Sequence, residues 1–210
     1  MKVLPDASAV ARAAADLVSD AIREGAQSLA VSGGRTPREL FELLAARDLE
    51  WGRVCLLFAD ERAVPPDDAE ANYRLVRETL LPRVTPGMLL RVPGELGADS
   101  AASWYDALVG RLQPLDLVLL GMGEDGHCAS LFPGNPALEA AGWAVAVHDA
   151  PKPPPDRVSL TLGCLRNARR VIFLVTGADK AEALRRARQG EVPAGLIPNA
   201  EWLVDEAAAA

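Results

Sequence analysis

The sequence predicts an α/β fold, a mostly parallel sheet covered by helices on both faces, and two observations predict it. Short apolar runs alternate along the chain with stretches of helical periodicity. The 210 residues, half of them hydrophobic, suffice for one domain, 1–210, around one substantial core. In order, the apolar runs are SLAVSGG, RVCLLFADE, LDLVLLG, WAVAVHD, RVIFLVTG and EWLVDE. Helical patterns fall at 37–47, 69–81, 98–112 and 178–189. In a sheet of this kind the ligand site lies beyond the carboxyl ends of the strands, which singles out residues 32–36, 60–62 and 121–127.

The first 25 residues read as an amphipathic helix with Val10, Ala13, Ala14, Leu17, Val18, Ala21 and Ile22 on one face. Asp6, Asp16, Asp20 and Glu24 stand where a signal peptide would be apolar. No apolar run approaches the roughly 20 residues that span a bilayer. A cytoplasmic protein without a membrane partner is therefore expected. Cys55, Cys128 and Cys164 are widely spaced and include no C-x-x-C pair, as suits reduced thiols rather than a disulfide framework or a zinc site. A net charge of −7 with no basic stripe argues against a nucleic-acid partner. It leaves room for a small anion held by a local group of cations.

After SLAV the chain turns at Ser32, Gly33 and Gly34 and enters a helix. Thr36 reads as its N-cap, Pro37 as its first residue and Glu39 as the partner in a capping box. A glycine turn feeding a helix presents free backbone N–H groups to an anion, although the segment also reads as an ordinary turn. The next strand runs into Asp60, Glu61 and Arg62, charges close enough to the expected crevice that burial would require pairing. Asn72 and Tyr73 are placed to brace this loop, while Asp67, Asp68 and Glu70 read as a solvated turn. The run APKPPPD reads as a stiffened loop over the sheet edge.

LDLVLLGMGEDGHCASLFPG holds Gly121, Gly123 and Gly126 in G-x-G-x-x-G spacing. A dinucleotide loop must open directly into a long helix, and here Pro133 and Pro136 interrupt one. Glu124 and Asp125 would also point negative charge at a pyrophosphate. What remains is His127 in a tight turn at a strand's carboxyl end, beside carboxylates able to orient an imidazole and support its charged form. That arrangement suits a general base acting on water, with either Glu124 or Asp125 in support. His148 has no comparable setting and reads as structural. Lys180 opens a helix, where the macrodipole disfavours a cation unless an anion binds there too. Arg157 enters the apolar VSLTLG. Singly these two read as surface residues; with the 32–34 loop they make a phosphate pocket.

VSGGRTP, FADERAVPPDDAEANY, LGMGEDGHCASLFPG, APKPPPDRVSLTL and VTGADKAEAL, in that order, resemble the 6-phosphogluconolactonase family. That family lies in the sugar-phosphate group that includes glucosamine-6-phosphate deaminase and ribose-5-phosphate isomerase. The resemblance implies a modified Rossmann-type fold needing neither dinucleotide nor metal, and no other cofactor. It implies hydrolysis of 6-phosphoglucono-lactone to 6-phosphogluconate in the pentose phosphate route, with a small phosphorylated sugar lactone as partner. Ser32, Gly33, Gly34 and Thr36 would hold the phosphate with Arg157 and Lys180. Arg62 would line the site, and His127 would activate water with Asp125 as its electrostatic partner. Cys128 and Ala71 stand where the family commonly has threonine and serine. The deaminases typically carry D-E-Y and I-A-F-N-E-P where this chain has Asp60-Glu61-Arg62 and 129–134. A non-enzymatic sugar-phosphate sensor would add a DNA-binding module, for which no length is expected. Monomer and dimer are both open.

Overall fold

The computed structural model describes residues 1–210. In chain order the strands are β1 (Lys2–Leu4), β2 (Ser28–Val31), β3 (Cys55–Phe58), β4 (Asp60–Arg62), β5 (Met88–Leu90), β6 (Leu117–Gly121), β7 (Ala144–Val147), β8 (Arg157–Leu160), β9 (Arg170–Val175) and β10 (Glu201–Asp205). The helices are α1 (Ala7–Arg23), α2 (Arg35–Ala45), α3 (Asn72–Thr79), α4 (Ala98–Val109), α5 (Leu162–Asn167), α6 (Ala181–Arg188) and α7 (Glu206–Ala209). Seven strands form a sheet in the order β1-β10-β9-β6-β2-β3-β5, every neighbouring pair parallel. β2 and β3 are buried at every position, which is why they read as unbroken apolar runs rather than alternating ones. No helix is long and apolar enough to cross a membrane.

Connections from β1 through β5 step across the sheet in one direction, and those from β6 through β10 step back. Right-handed crossovers then place α1, α2 and α3 on one face and α4 and α6 on the other. The reversal falls between the neighbours β2 and β6, so a crevice opens between the loops that follow them. Residues 32–34 and 121–127 are those loops.

Three sequence expectations need correction. The run 53–61 is not one strand: at Ala59 the chain leaves the main sheet. Its N–H donates to Val31 O (2.8 Å), and its carbonyl accepts from Leu160 N (2.8 Å), so this residue joins two sheets. β4 then pairs with β8, and β8 with β7, in a separate antiparallel sheet. WAVAVHD therefore supplies an antiparallel strand, a pairing that its apolar composition does not reveal. The face of α1 is also rotated from the expected one. Ala11, Ala15 and Ser19 are buried while Ala13 and Leu17 are only half-buried, because small residues let α1 lie close against α2.

The capping box is the third. α2 starts at Arg35 with Gly34 as its cap and no side-chain hydrogen bond there. Thr36 lies inside the helix with its hydroxyl on Thr176 Oγ1 (2.8 Å), and Glu39 accepts from Ser8 Oγ (3.0 Å). Tertiary partners have taken both side chains, which leaves the first N–H groups of α2 without a side-chain cap.

Candidate active site

A cleft of about 320 Å³ opens at the switch point. His127, Arg62, Arg157 and Lys180 line it, with Ser32 and Gly33 from the loop after β2. Gly34 and Thr36 line an adjoining cavity, which shares Gly33, Gly121, Met122 and Lys180 with the first. Asp125 lies outside the cleft lining, behind the imidazole.

The histidine turn is built around its glycines. Gly123 N donates to His127 O (2.9 Å) and Gly126 N to Gly123 O (3.0 Å), closing the turn. The ring folds back onto Gly123 so closely that a Cβ there would sit 2.0 Å from His127 Nδ1. The G-x-G-x-x-G spacing thus makes room for an imidazole. Beyond it the chain forms a Cys128–Leu131 bridge and a short turn at Pro136–Glu139, with no helix for a pyrophosphate.

Asp125, not Glu124, meets the ring. Asp125 Oδ1 is 2.5 Å from His127 Nδ1 and also accepts the His127 backbone N–H (3.1 Å). Burial by itself raises the Asp125 carboxyl, but the hydrogen bond and charge of His127 outweigh it and bring it down to about 2. An ionised acceptor at Nδ1 assigns the proton to that nitrogen and leaves a lone pair on Nε2, which has no protein partner. Phe132 packs against the ring, centroids 4.4 Å apart. Cys128, next in sequence, is fully buried, and burial reinforced by the Asp60 charge pushes its thiol up to about 12. It offers no thiolate.

The acidic strand end divides into three roles. Glu61 is almost wholly buried and its carboxylate accepts N–H groups of Asn72 (2.7 Å), Tyr73 (2.7 Å) and Arg62 (2.8 Å). It caps α3 from a different element. Burial pushes its carboxyl up to about 7 against the pull of those donors. Asp60 faces the cleft, accepting from Ser130 Oγ (2.8 Å) and Asn72 Nδ2 (3.3 Å). Asn72 in turn needs Gly33, since a Cβ there would lie 1.9 Å from its Oδ1. Arg62 donates to the Glu70 carbonyl and pairs with the Glu70 carboxylate at 3.7 Å, and its buried Nε has no partner. Glu70 is therefore more than part of a solvated turn.

Arg157 is buried and is wrapped by the proline loop. Its Nε donates to Pro154 O (3.0 Å) and its Nη2 to Lys152 O (2.8 Å), while the guanidinium lies 5.5 Å from the Phe132 ring. Lys180 ends a short turn just before α6 and pairs with Asp179 (3.0 Å), a carboxylate that offsets its position at a helix start. Ser32 Oγ donates to Leu119 O (3.0 Å), tying the loop after β2 to the neighbouring strand β6. His148 is exposed between Asp156 (2.8 Å) and Asp99 (3.2 Å), away from the cleft. No group of three or more His, Cys, Asp or Glu side chains is placed to hold a metal ion.

The sequence reading passed over Lys152 and Phe132 as cleft residues. A lysine inside the proline run was the available signal for the first; nothing marked the second.

Fold and cleft define an α/β protein with a histidine and four cations gathered at a topological switch point. The family model for glucosamine-6-phosphate isomerases/6-phosphogluconolactonase matches residues 5–204, and the chain belongs to that family. It is 35% identical to a 6-phosphogluconolactonase of Mycobacterium bovis, over all of this chain and 97% of that protein. It is 36% identical to a probable chloroplastic 6-phosphogluconolactonase 3 of Oryza sativa, over 86% of this chain, and spans 62% of that relative's length. The crystal structure of a 6-phosphogluconolactonase from Thermotoga maritima superposes with a TM-score of 0.89 at 26% identity, covering 98% of each chain. A monomeric glucosamine-6-phosphate deaminase reaches 0.86 at 22% identity, covering 100% of this chain and 99% of that one, which shows a shared fold.

Proposed function

We propose that this protein hydrolyses 6-phospho-D-glucono-1,5-lactone to 6-phospho-D-gluconate, the reaction for which its relatives are named. One observation carries the mechanism: His127, with Nδ1 held by Asp125 and Nε2 unpartnered, shares a cleft with Arg157 and Lys180. The molecule is acidic overall, yet four cations, Arg62, Lys152, Arg157 and Lys180, line this cleft with one carboxylate, Asp60, while Glu70, Glu124 and Asp179 pair with three of them from outside its lining. A phosphorylated substrate is drawn to such a field.

The phosphate binds between Lys180 and Arg157 and the uncapped start of α2, where Gly33 and Gly34 let the backbone approach. That places the lactone ring towards His127. Nε2 takes a proton from water as the oxygen attacks the carbonyl carbon, and Asp125 stabilises the imidazolium. The tetrahedral intermediate breaks its bond to the ring oxygen, and the imidazolium returns the proton to that leaving oxygen. Arg62 lines the cleft with a buried Nε that has no partner, and it serves as a donor to the developing oxyanion. Water is the only co-reactant.

The test is a direct assay of the purified protein on the lactone, corrected for spontaneous hydrolysis, beside glucosamine 6-phosphate. Accelerated ring opening of the lactone with no ammonia from the amino sugar is expected. Ammonia release would replace lactone hydrolysis with deamination.

A further inference from the structure

Glu124 lies beside the residue that supports the histidine, yet it takes no part in that pair. Its Oε1 stands 3.6 Å from Lys180 Nζ and 3.6 Å from Lys152 Nζ. The two lysines come from different elements, one from the start of α6 and one from the proline loop, and both line the cleft. Lys152 has no other ion-pair partner. One carboxylate oxygen shared by two ammonium groups has the environment that a phosphate oxygen would occupy. Glu124 is half exposed, so it is free to rotate away.

We propose that Glu124 is a built-in stand-in for the substrate's phosphate, displaced when that phosphate binds, and that Lys152 is a further phosphate ligand. The inference rests on the phosphorylated-substrate reading above and adds to it a competitor and a ligand. A monoanion presenting one oxygen to both lysines yields to a dianion with three acceptor oxygens. A neutral sugar lactone has nothing with which to displace Glu124, so the carboxylate sharpens selection for phosphorylated substrates. It also keeps Lys152 and its loop poised over the cleft in the absence of substrate. Exposed ion pairs are individually weak, so removing this competitor is worth about threefold to fivefold in anion affinity.

The experiment is titration of inorganic phosphate into the full-length protein by calorimetry at fixed ionic strength, which needs no turnover. Glu124→Gln, isosteric and uncharged, is expected to tighten phosphate binding by about threefold or more. Lys152→Ala is expected to weaken it by a similar factor. Glu50→Gln removes the same charge at the opposite end of the sheet and is expected to show no such tightening. In steady-state assays the Glu124→Gln effect falls on KM rather than kcat. Phosphate affinity that is unchanged or weakened in Glu124→Gln, equal tightening in Glu50→Gln, or intact binding in Lys152→Ala would each overturn the proposal. Failure of the wild-type protein to accelerate lactone opening would instead overturn the substrate reading, and the two failures are separately visible.

Discussion

A histidine becomes a useful base only when its tautomer and ring plane are held, and here one carboxylate and one missing side chain do both. Asp125 fixes the proton on Nδ1, and Gly123 leaves the space into which the ring folds. Gly123→Ala should therefore damage catalysis without touching any cation. A ring displaced by about an ångström predicts a kcat loss on the order of 10²-fold, with phosphate affinity in calorimetry held near wild type. An alanine variant with full turnover would show that the ring's position is not set by that contact. Much of this was legible in the sequence: a histidine in a glycine turn, with acidic neighbours, at a strand's end. The choice between Glu124 and Asp125 was not legible, because adjacent residues in a tight turn diverge by an angle that composition does not encode. Their divergence matters, since one meets the imidazole and the other meets two lysines.

At the scale of elements, the D-E-R segment is where the chain crosses between sheets, and each charge there has a separate use. Glu61 is the cap of α3, and its raised carboxyl has a stability consequence. In the unfolded chain a glutamate titrates near ~4.3. In the folded protein the group holds its proton up to about 7. Its contribution is therefore fully present below the unfolded value and is lost as pH rises through about 7. Across that window it amounts to about 4 kcal/mol, at about 1.4 kcal/mol per pH unit of displacement. Thermal melts should show Tm falling from pH 5 to pH 8. Glu61→Gln should lower Tm at pH 5 and lose that part of the slope; an unchanged slope would assign the titration elsewhere. Burial also separates the two cations expected from sequence. Lys180→Ala should mainly raise KM. Arg157→Ala should raise KM and also lower stability by about 1–3 kcal/mol, because it strands the carbonyls of the proline loop. Equal melting temperatures for the two variants would contradict that distinction. The buried strands β2, β3, β6 and β9 and the helices α1, α2, α3, α4 and α6 overlap runs that the sequence marked, although α5 was not among them. β1 and β5 were not marked as strands, being three-residue edge strands with exposed positions. β8 was noted only as an apolar segment after Arg157, and the antiparallel sheet to which it belongs depends on pairing that no single segment carries.

For the whole molecule, the reversal of strand order between β2 and β6 brings distant segments to one cleft. Residues near 32, 62, 127, 157 and 180 meet there although nearly 150 positions separate the first from the last. The resemblance in sequence had already grouped them, and the topology supplies the physical reason. A shared fold does not choose between lactone hydrolysis and amino-sugar deamination, since both chemistries occur on this architecture. The choice rests on the site.

The central claim is that the His127 imidazole, held by Asp125, removes a proton from water beside a bound phosphoester. Turnover of the phosphorylated lactone by His127→Ala, paired with calorimetric binding of 6-phosphogluconate, tests it most directly. The expected result is a kcat lower by about 10²–10⁴-fold with product affinity within about a factor of two. Turnover close to wild type in a protein that has lost the ring would contradict it.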